Sequence, residues 1–238
     1  MAEYARRAGL NRSTIHRFET GTTAPTLASL RELAIVHGWD LDIALRPLSD
    51  PDAATAARIL LDGAFADVEP TAAQARWAER LSATEDPIEI TTMAGRASAP
   101  QHRPGAVFMR SNAPLMHSKA HALRLASAGD ATNGRWALSG AAGFAALDMD
   151  VPARAPSLLW VDDPERAART MLDTHTRSAS ADTAHVILVP ADDSVLTGAW
   201  TAGTVHYAAP MQMLLDGFGI GCGLDHVAHS IAEGWSAA

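Results

Sequence analysis

Over the first fifty residues, apolar positions come in short bursts at helical spacing, each closed by glycine. Residues 2–8 are rich in good helix formers. Gly9 ends that run, because glycine tolerates the positive φ of a tight turn. Residues 12–20 form the next predicted helix, with Ile15 and Phe18 on one face and Arg12, Ser13, His16 and Arg17 largely on others. Asn11 stands where a side-chain oxygen would cap it. A third helix is expected over 27–37, capped by Thr26, with Leu27, Leu30, Leu33 and Ala34 in register and Gly38 behind. The period then drops to two: Leu41, Ile43 and Leu45 alternate with polar groups, which predicts a strand over 39–47.

Pro47, Ser49, Asp50 and Pro51 mark a linker. Two alanine-rich helices follow over 51–64 and 71–84. Residues 86–134 are broken by Pro100, Pro104 and Pro114, with a short strand expected over 106–110. Residues 136–147 read as a helix. Beyond Pro152, strands and helices alternate. Strands are expected over 157–161 and 185–189, with a helix opening at Asp163-Pro164 between them. A hairpin of 194–200 with 204–208 comes next, then closing helices over 210–215 and 224–235. The class is therefore α+β. Residues 1–47 form a small all-α domain, 48–85 a helical linker and 86–238 a mixed α/β domain.

The chain has 238 residues, 47% of them hydrophobic and 19% charged, which suits a folded globular protein. Its single cysteine, Cys222, excludes an internal disulfide and a thiolate zinc cage. No apolar run is long enough to span a bilayer, and the first residues are not a secretory signal, so the cytoplasm is the expected location. A net charge of −8 argues against a nucleic-acid partner until its distribution is read. Residues 1–50 balance six arginines against six acids, and residues 90–129 contain no Asp or Glu. Local patches, not totals, make a phosphate-binding surface.

Two short helices joined by a tight turn can place the second in the major groove, where each base pair shows its own donor and acceptor pattern. Arg12, Ser13, Thr14 and Arg17 are the side chains suited to reading bases. Arginine bonds guanine in a bidentate way, and serine and threonine bond bases or phosphates. Arg6, Arg7, Asn11 and Thr22 flank them as further DNA contacts. The run from Ala5 through Gly21, then Pro25-Thr26-Leu27, Leu30, Leu33 and Ala34, resembles the XRE (lambda Cro/repressor-type) helix-turn-helix family. That resemblance covers residues 1–45. It implies double-stranded DNA as partner, base contacts from Arg12, Ser13, Thr14 and Arg17, and backbone contacts from Met1, Gly21 and Thr22. It also implies packing positions at Ala5, Gly9, Ile15 and Leu33, and a structural acid at Glu19. The family's first helix has no counterpart, so Ala5, Ile15 and Leu30 need cover from an upstream start or from elsewhere in the chain. Its last helix is replaced by the expected strand, although a homodimer is still a candidate assembly.

Farther on, Arg135–Ala142 with Leu147, the strand Leu158–Val161 before Asp162, and Tyr207–Asp216 are similar to the C-terminal part of AbiEi-type antitoxins of type IV toxin–antitoxin systems. The resemblance spans 130–236. It implies an autorepressing antitoxin whose C-terminal domain neutralises a nucleotidyltransferase-like toxin. The alternative is an interaction module that masks such a toxin without binding DNA.

Catalytic chemistry finds little footing. His117 and His121, and His226 and His229, could share helix faces, but no His-Glu-x-x-His is present. Asp162-Asp163 and Asp192-Asp193 read as caps or turns. Ser139 lies outside a Gly-x-Ser-x-Gly elbow, and Cys222 reads as inert and buried. The expectation is no catalytic residue, no metal, no cofactor and no membrane partner. The acid-free stretch offers a second basic patch of Arg103, Arg110, Lys119 and Arg124, set against the alternative of a mere connector.

Overall fold

The computed structural model describes residues 2–113 and 118–236. Met1, Pro114 and His117, three positions singled out from the sequence, lie outside them. The chain forms two compact units, residues 1–46 and 47–238.

The first unit holds α1 (Ala2–Arg7), α2 (Arg12–Glu19) and α3 (Leu27–Val36). Gly9 carries the expected positive φ of 64° between α1 and α2. Thr26 caps α3 by accepting the Ser29 amide at 3.2 Å. Asn11 differs from expectation. It has extended N-cap geometry, but its side chain makes no cap bond. Its carbonyl takes the Thr14 and Ile15 amides instead. The strand expected over 39–47 does not form, and residues 39–48 belong to neither helix nor strand. Alternation supplies a strand's faces but not its partner, and Leu45 stays 96% exposed.

The second unit is built on a mixed sheet. Its strands are β1 (Val107–Ser111), β2 (Trp136–Ser139), β3 (Ser157–Val161), β4 (His175–Arg177), β5 (Val186–Pro190), β6 (Trp200–Ala202) and β7 (Val205–Tyr207). Their order is β4-β1-β5-β3-β2-β7-β6. β3 runs parallel to β5 and β2 parallel to β7, whereas the remaining pairs are antiparallel. β3 and β5 are buried on both faces apart from the half-buried Pro190, which is why they read as continuous apolar runs. The class expected from sequence, a small helical module followed by a mixed α/β part, is the one observed.

Helices sandwich this sheet. α7 (Lys119–Asp130) lies on the face of Trp136, whose indole donates to Asp130 at 2.9 Å. It packs beside α9 (Pro164–Thr170). The other face carries α8 (Gly140–Ala146) and α11 (Pro210–Ile220), with α12 (Leu224–Ser236) behind. The helices of 48–85, α4 (Pro51–Leu61) and α5 (Ala72–Leu81), belong to this unit. With α6 (Pro87–Ala97) and Leu215 of α11 they close a small second core.

Three segments depart from the sequence reading. Residues 136–147 are not one helix: β2 covers the first four residues and α8 starts at Gly140. Gly140 has φ 60°, and a Cβ there would meet the Pro156 carbonyl oxygen at 2.8 Å, so the chain can switch from strand to helix only on glycine. The first hairpin arm is shorter than expected. Ser194–Leu196 belong to α10 (Asp193–Leu196), and the hairpin partner of β7 is β6 alone, which starts at Trp200. Cys222 is exposed, not buried. Burial of the thiol group and the nearby Asp182 and Asp225 still raise its pKa, which keeps it protonated.

Two buried charges tie the unit together. Arg58 on α4 has no exposed surface; it pairs with Asp62, donates to the carbonyls of Ser194 and Thr197 at 2.6 and 2.7 Å, and lies over the Phe65 ring. Asp216 on α11 accepts from the Trp160 indole and the Gln212 amide, both at 2.9 Å. Burial pushes its carboxyl up to about 6, against the lowering effect of Ser139, Trp160, Gln212 and the Arg103 charge.

Two outcomes follow. Arg58→Ala leaves buried acceptors without their donor and should cost about 3–5 kcal/mol in urea unfolding; a loss within about 0.5 kcal/mol would contradict that role. For Asp216, the folded value lies above the unfolded one. Its contribution is therefore complete below about pH 4 and is lost as pH rises towards 6, by about 3 kcal/mol. Unfolding free energies of the wild type minus those of Asp216→Asn should fall over that window, and a flat difference would refute the assignment.

Candidate nucleic-acid interface

At 1.5 Å per residue, the eight residues of α2 make a rod about 12 Å long, about the width of a DNA major groove. One side of this rod is anchored. Ile15 is 3% exposed, and Ala5 and Ala8 of α1 are buried as well. Leu10 donates to the Ala5 carbonyl at 2.9 Å across the turn, which fixes where α2 begins. The three helices thus bury Ala5 and Ile15 within the unit, but Leu30 remains 37% exposed. The cover anticipated as missing is missing only there.

With Ile15 pointing inward, the 100° step per residue puts Ser13 and Arg17 on the opposite side, His16 and Thr14 on the two flanks, and Arg12 about 60° from Ile15 at the edge of the anchored side. Arg12, Ser13, His16 and Arg17 are exposed, and Thr14 is half-buried. Arg6 and Arg7 end α1, and Asn11 and Thr22 flank α2; these four are exposed too. Among the described residues no carboxylate pairs with Arg12 or Arg17. Thr22 exchanges a hydrogen bond with Thr20 at 2.9 Å, which shapes the turn after α2. His16 was legible as part of this surface from the same spacing, but it was not counted among the contacts.

The basic stretch of 90–129 is not one patch. Arg103 is taken up internally: it pairs with Asp192 at 3.1 Å, donates to the Pro190 carbonyl, and lies over the Trp160 ring. Sequence composition shows that a stretch lacks acids, but not that an acid ninety residues on folds beside it. Arg110 projects from β1, whereas Lys119 and Arg124 are on α7; all three are exposed.

The carboxylate pairs have structural work. Asp163 caps α9 through the Arg166 amide, and Asp192 caps α10 through the Val195 amide. Asp162 accepts from the Arg135 backbone. His229 pairs with Glu233, and among the described residues no three His, Cys, Asp or Glu side chains gather as a metal site.

Residues 1–42 match the helix-turn-helix family model. No curated protein and no solved structure matches the chain. The N-terminal unit is an XRE-type helix-turn-helix module, and the protein is a DNA-binding transcriptional regulator. No helix among the described residues is long and apolar enough to cross a membrane.

If Ile15 alone seats α2, then Ile15→Ala should cost the N-terminal unit about 2–5 kcal/mol and abolish DNA binding. Circular dichroism would show the loss of a few helical turns. The thermal transition of the second unit, followed by tryptophan fluorescence, should stay in place; a shift there would contradict the assignment.

Proposed function

We propose that α2 reads a specific operator in the major groove and that the chain represses by occupying it. The observation that carries this reading is the exposed surface of α2, where Arg12, Ser13 and Arg17 all meet solvent and neither arginine has a carboxylate partner among the described residues. Arg12, Ser13, Thr14 and Arg17 choose the sequence, while Arg6, Arg7, Asn11 and Thr22 hold the backbone. Phosphate contacts make the affinity salt-dependent. The chain acts by binding and carries no catalytic step of its own, in the reducing cytoplasm.

The finer reading is an autorepressing antitoxin of a type IV-like system. The resemblance of 130–236 to AbiEi-type antitoxins supports it, and the resembling segments meet in one core: β2 pairs with β3, and α11 packs on α8 and β2. A toxin of nucleotidyltransferase type is the matching protein partner. A homodimer is supported by the apolar surface that α3 leaves in water, with Leu27 and Ile35 among its exposed side chains.

Footprinting on the chain's own upstream region tests the DNA reading. Arg12→Ala should cost about 1–3 kcal/mol on the cognate site and relax base preference there, whereas Arg7→Ala should weaken cognate and scrambled duplexes alike. Equal losses from both variants on both DNAs would refute this division of roles. Absence of any footprint, together with capture of a co-expressed toxin, would instead favour the interaction module.

A further inference from the structure

The second unit has a cluster of donors that the DNA-binding module leaves unused. β1 and β5 pair antiparallel, with Val107 opposite Leu188, Phe108 opposite Ile187 and Met109 opposite Val186. Arg110 follows the last residue of β1 in this pairing and His185 precedes the first of β5, and the two come close enough for the Arg110 charge to act on the His185 ring. The His185 amide donates to the carbonyl of Met109 at 2.9 Å, so His185 and Val186 both lie against Met109, as in a bulge at the end of the ladder.

The ring of His185 is oriented by the strand itself. The Ser111 amide donates to His185 Nδ1 at 3.1 Å. A neutral imidazole that accepts at Nδ1 carries its hydrogen on Nε2, so that nitrogen is a donor. Burial, and then the charge of Arg110, hold the imidazole below its ordinary pKa. The ring is therefore neutral at pH 7 and keeps this tautomer.

Arg110 and His185 line a cavity of about 340 Å³ together with Arg154, from the segment between α8 and β3, and with Asp182, Thr183 and Ala184. Neither Arg110 nor Arg154 pairs with a carboxylate among the described residues. Two guanidiniums face one carboxylate, that of Asp182, which also acts on Cys222. The lining is net positive and holds two planar, fork-shaped guanidiniums and an imidazole. That combination suits a compact tetrahedral oxyanion, because arginine bonds phosphate oxygens two at a time. The volume suits a phosphate with a small attached group and lies at the lower end of ligand cavities.

We propose that the cleft between Arg110, Arg154 and His185 is a binding site for a phosphate monoester, taken as free phosphate or as the phosphate group of a small metabolite or nucleotide. Arg110 and Arg154 clamp the phosphate oxygens, and the His185 Nε2–H donates a further bond. A dianion seated there reverses the local field that Arg110 imposes and so favours the charged ring; the second proton then goes to Nδ1, which gives up the Ser111 amide. The other charged groups around this ring are Asp182 and, on β4, His175, which adds no favourable charge while neutral.

The test uses the full chain and follows the His185 ring signals by NMR, identified by their loss in His185→Gln. Inorganic phosphate and a nucleoside monophosphate are titrated separately at constant ionic strength, with sodium chloride as the control. The expected result is a saturable shift with one or both, accompanied by a rise in the His185 pKa. Arg110→Ala and Arg154→Ala should each weaken it by roughly tenfold or more, about 1.4 kcal/mol. Lys119→Ala lies outside the cavity and should leave it unchanged. Saturation by the nucleotide far below the concentration needed for inorganic phosphate identifies the phosphate as part of a larger ligand; equal affinities identify free phosphate. A shift that tracks chloride equally, or that survives Arg110→Ala and Arg154→Ala in folded protein, overturns the proposal. So does a shift produced by duplex DNA alone, which would make the cleft part of a nucleic-acid face.

Discussion

A helix of eight residues cannot hold itself together in water, where even good sequences need about 12–15. The second helix of this DNA-binding module therefore exists only because Ile15, Ala5 and Ala8 leave solvent together. That small apolar contact sets the pitch and rotation of α2, and everything polar on the helix is aimed by it. The turn at Gly9 and the bond from Leu10 to Ala5 add little energy but leave α2 one place to start. Function in the N-terminal unit is thus an outward consequence of an inward constraint: the arginines stand clear because one isoleucine does not.

The second unit solves the opposite problem. It has ample apolar surface and must choose a single arrangement for it. Its buried polar groups help by specifying positions that Val, Leu and Ala would leave loose. Arg58 can satisfy its donors only where the carbonyls of Ser194 and Thr197 meet Asp62. Trp160 finds its acceptor only if α11 lies across β3 with Asp216 inward. Such groups are costly to bury, and each is met by several partners. The end of the ladder that pairs Phe108 with Ile187 brings Arg110 and His185 to one cavity. A cluster with binding chemistry is in this way fixed by a ladder whose main work is structural.

The helix-turn-helix was legible because its signals are local. Glycine turns, capping threonine and an apolar residue every three to four positions act within a few residues of one another. The same holds for Asp163 and Asp192, whose cap bonds close within three residues. Errors arose where the deciding partner was remote. Residues 39–47 alternate as a strand should, but have no neighbour to pair with. Residues 136–147 are almost wholly apolar and buried, so no period distinguishes strand from helix until β3 pairs with the first four. Asn11 has a capping side chain, but its backbone carbonyl does the bonding.

Residue order alone settled that a small helical module precedes a larger α/β part, and which face of α2 meets solvent, because helical period and turn chemistry are properties of neighbours along the chain. Tertiary structure alone decided which charges are spent and which are available. Arg103 and Arg110 lie seven residues apart in the same acid-free stretch, yet one is locked against Asp192 and the other opens onto a cavity. Coulomb attraction depends on distance through space, and only the fold sets that distance.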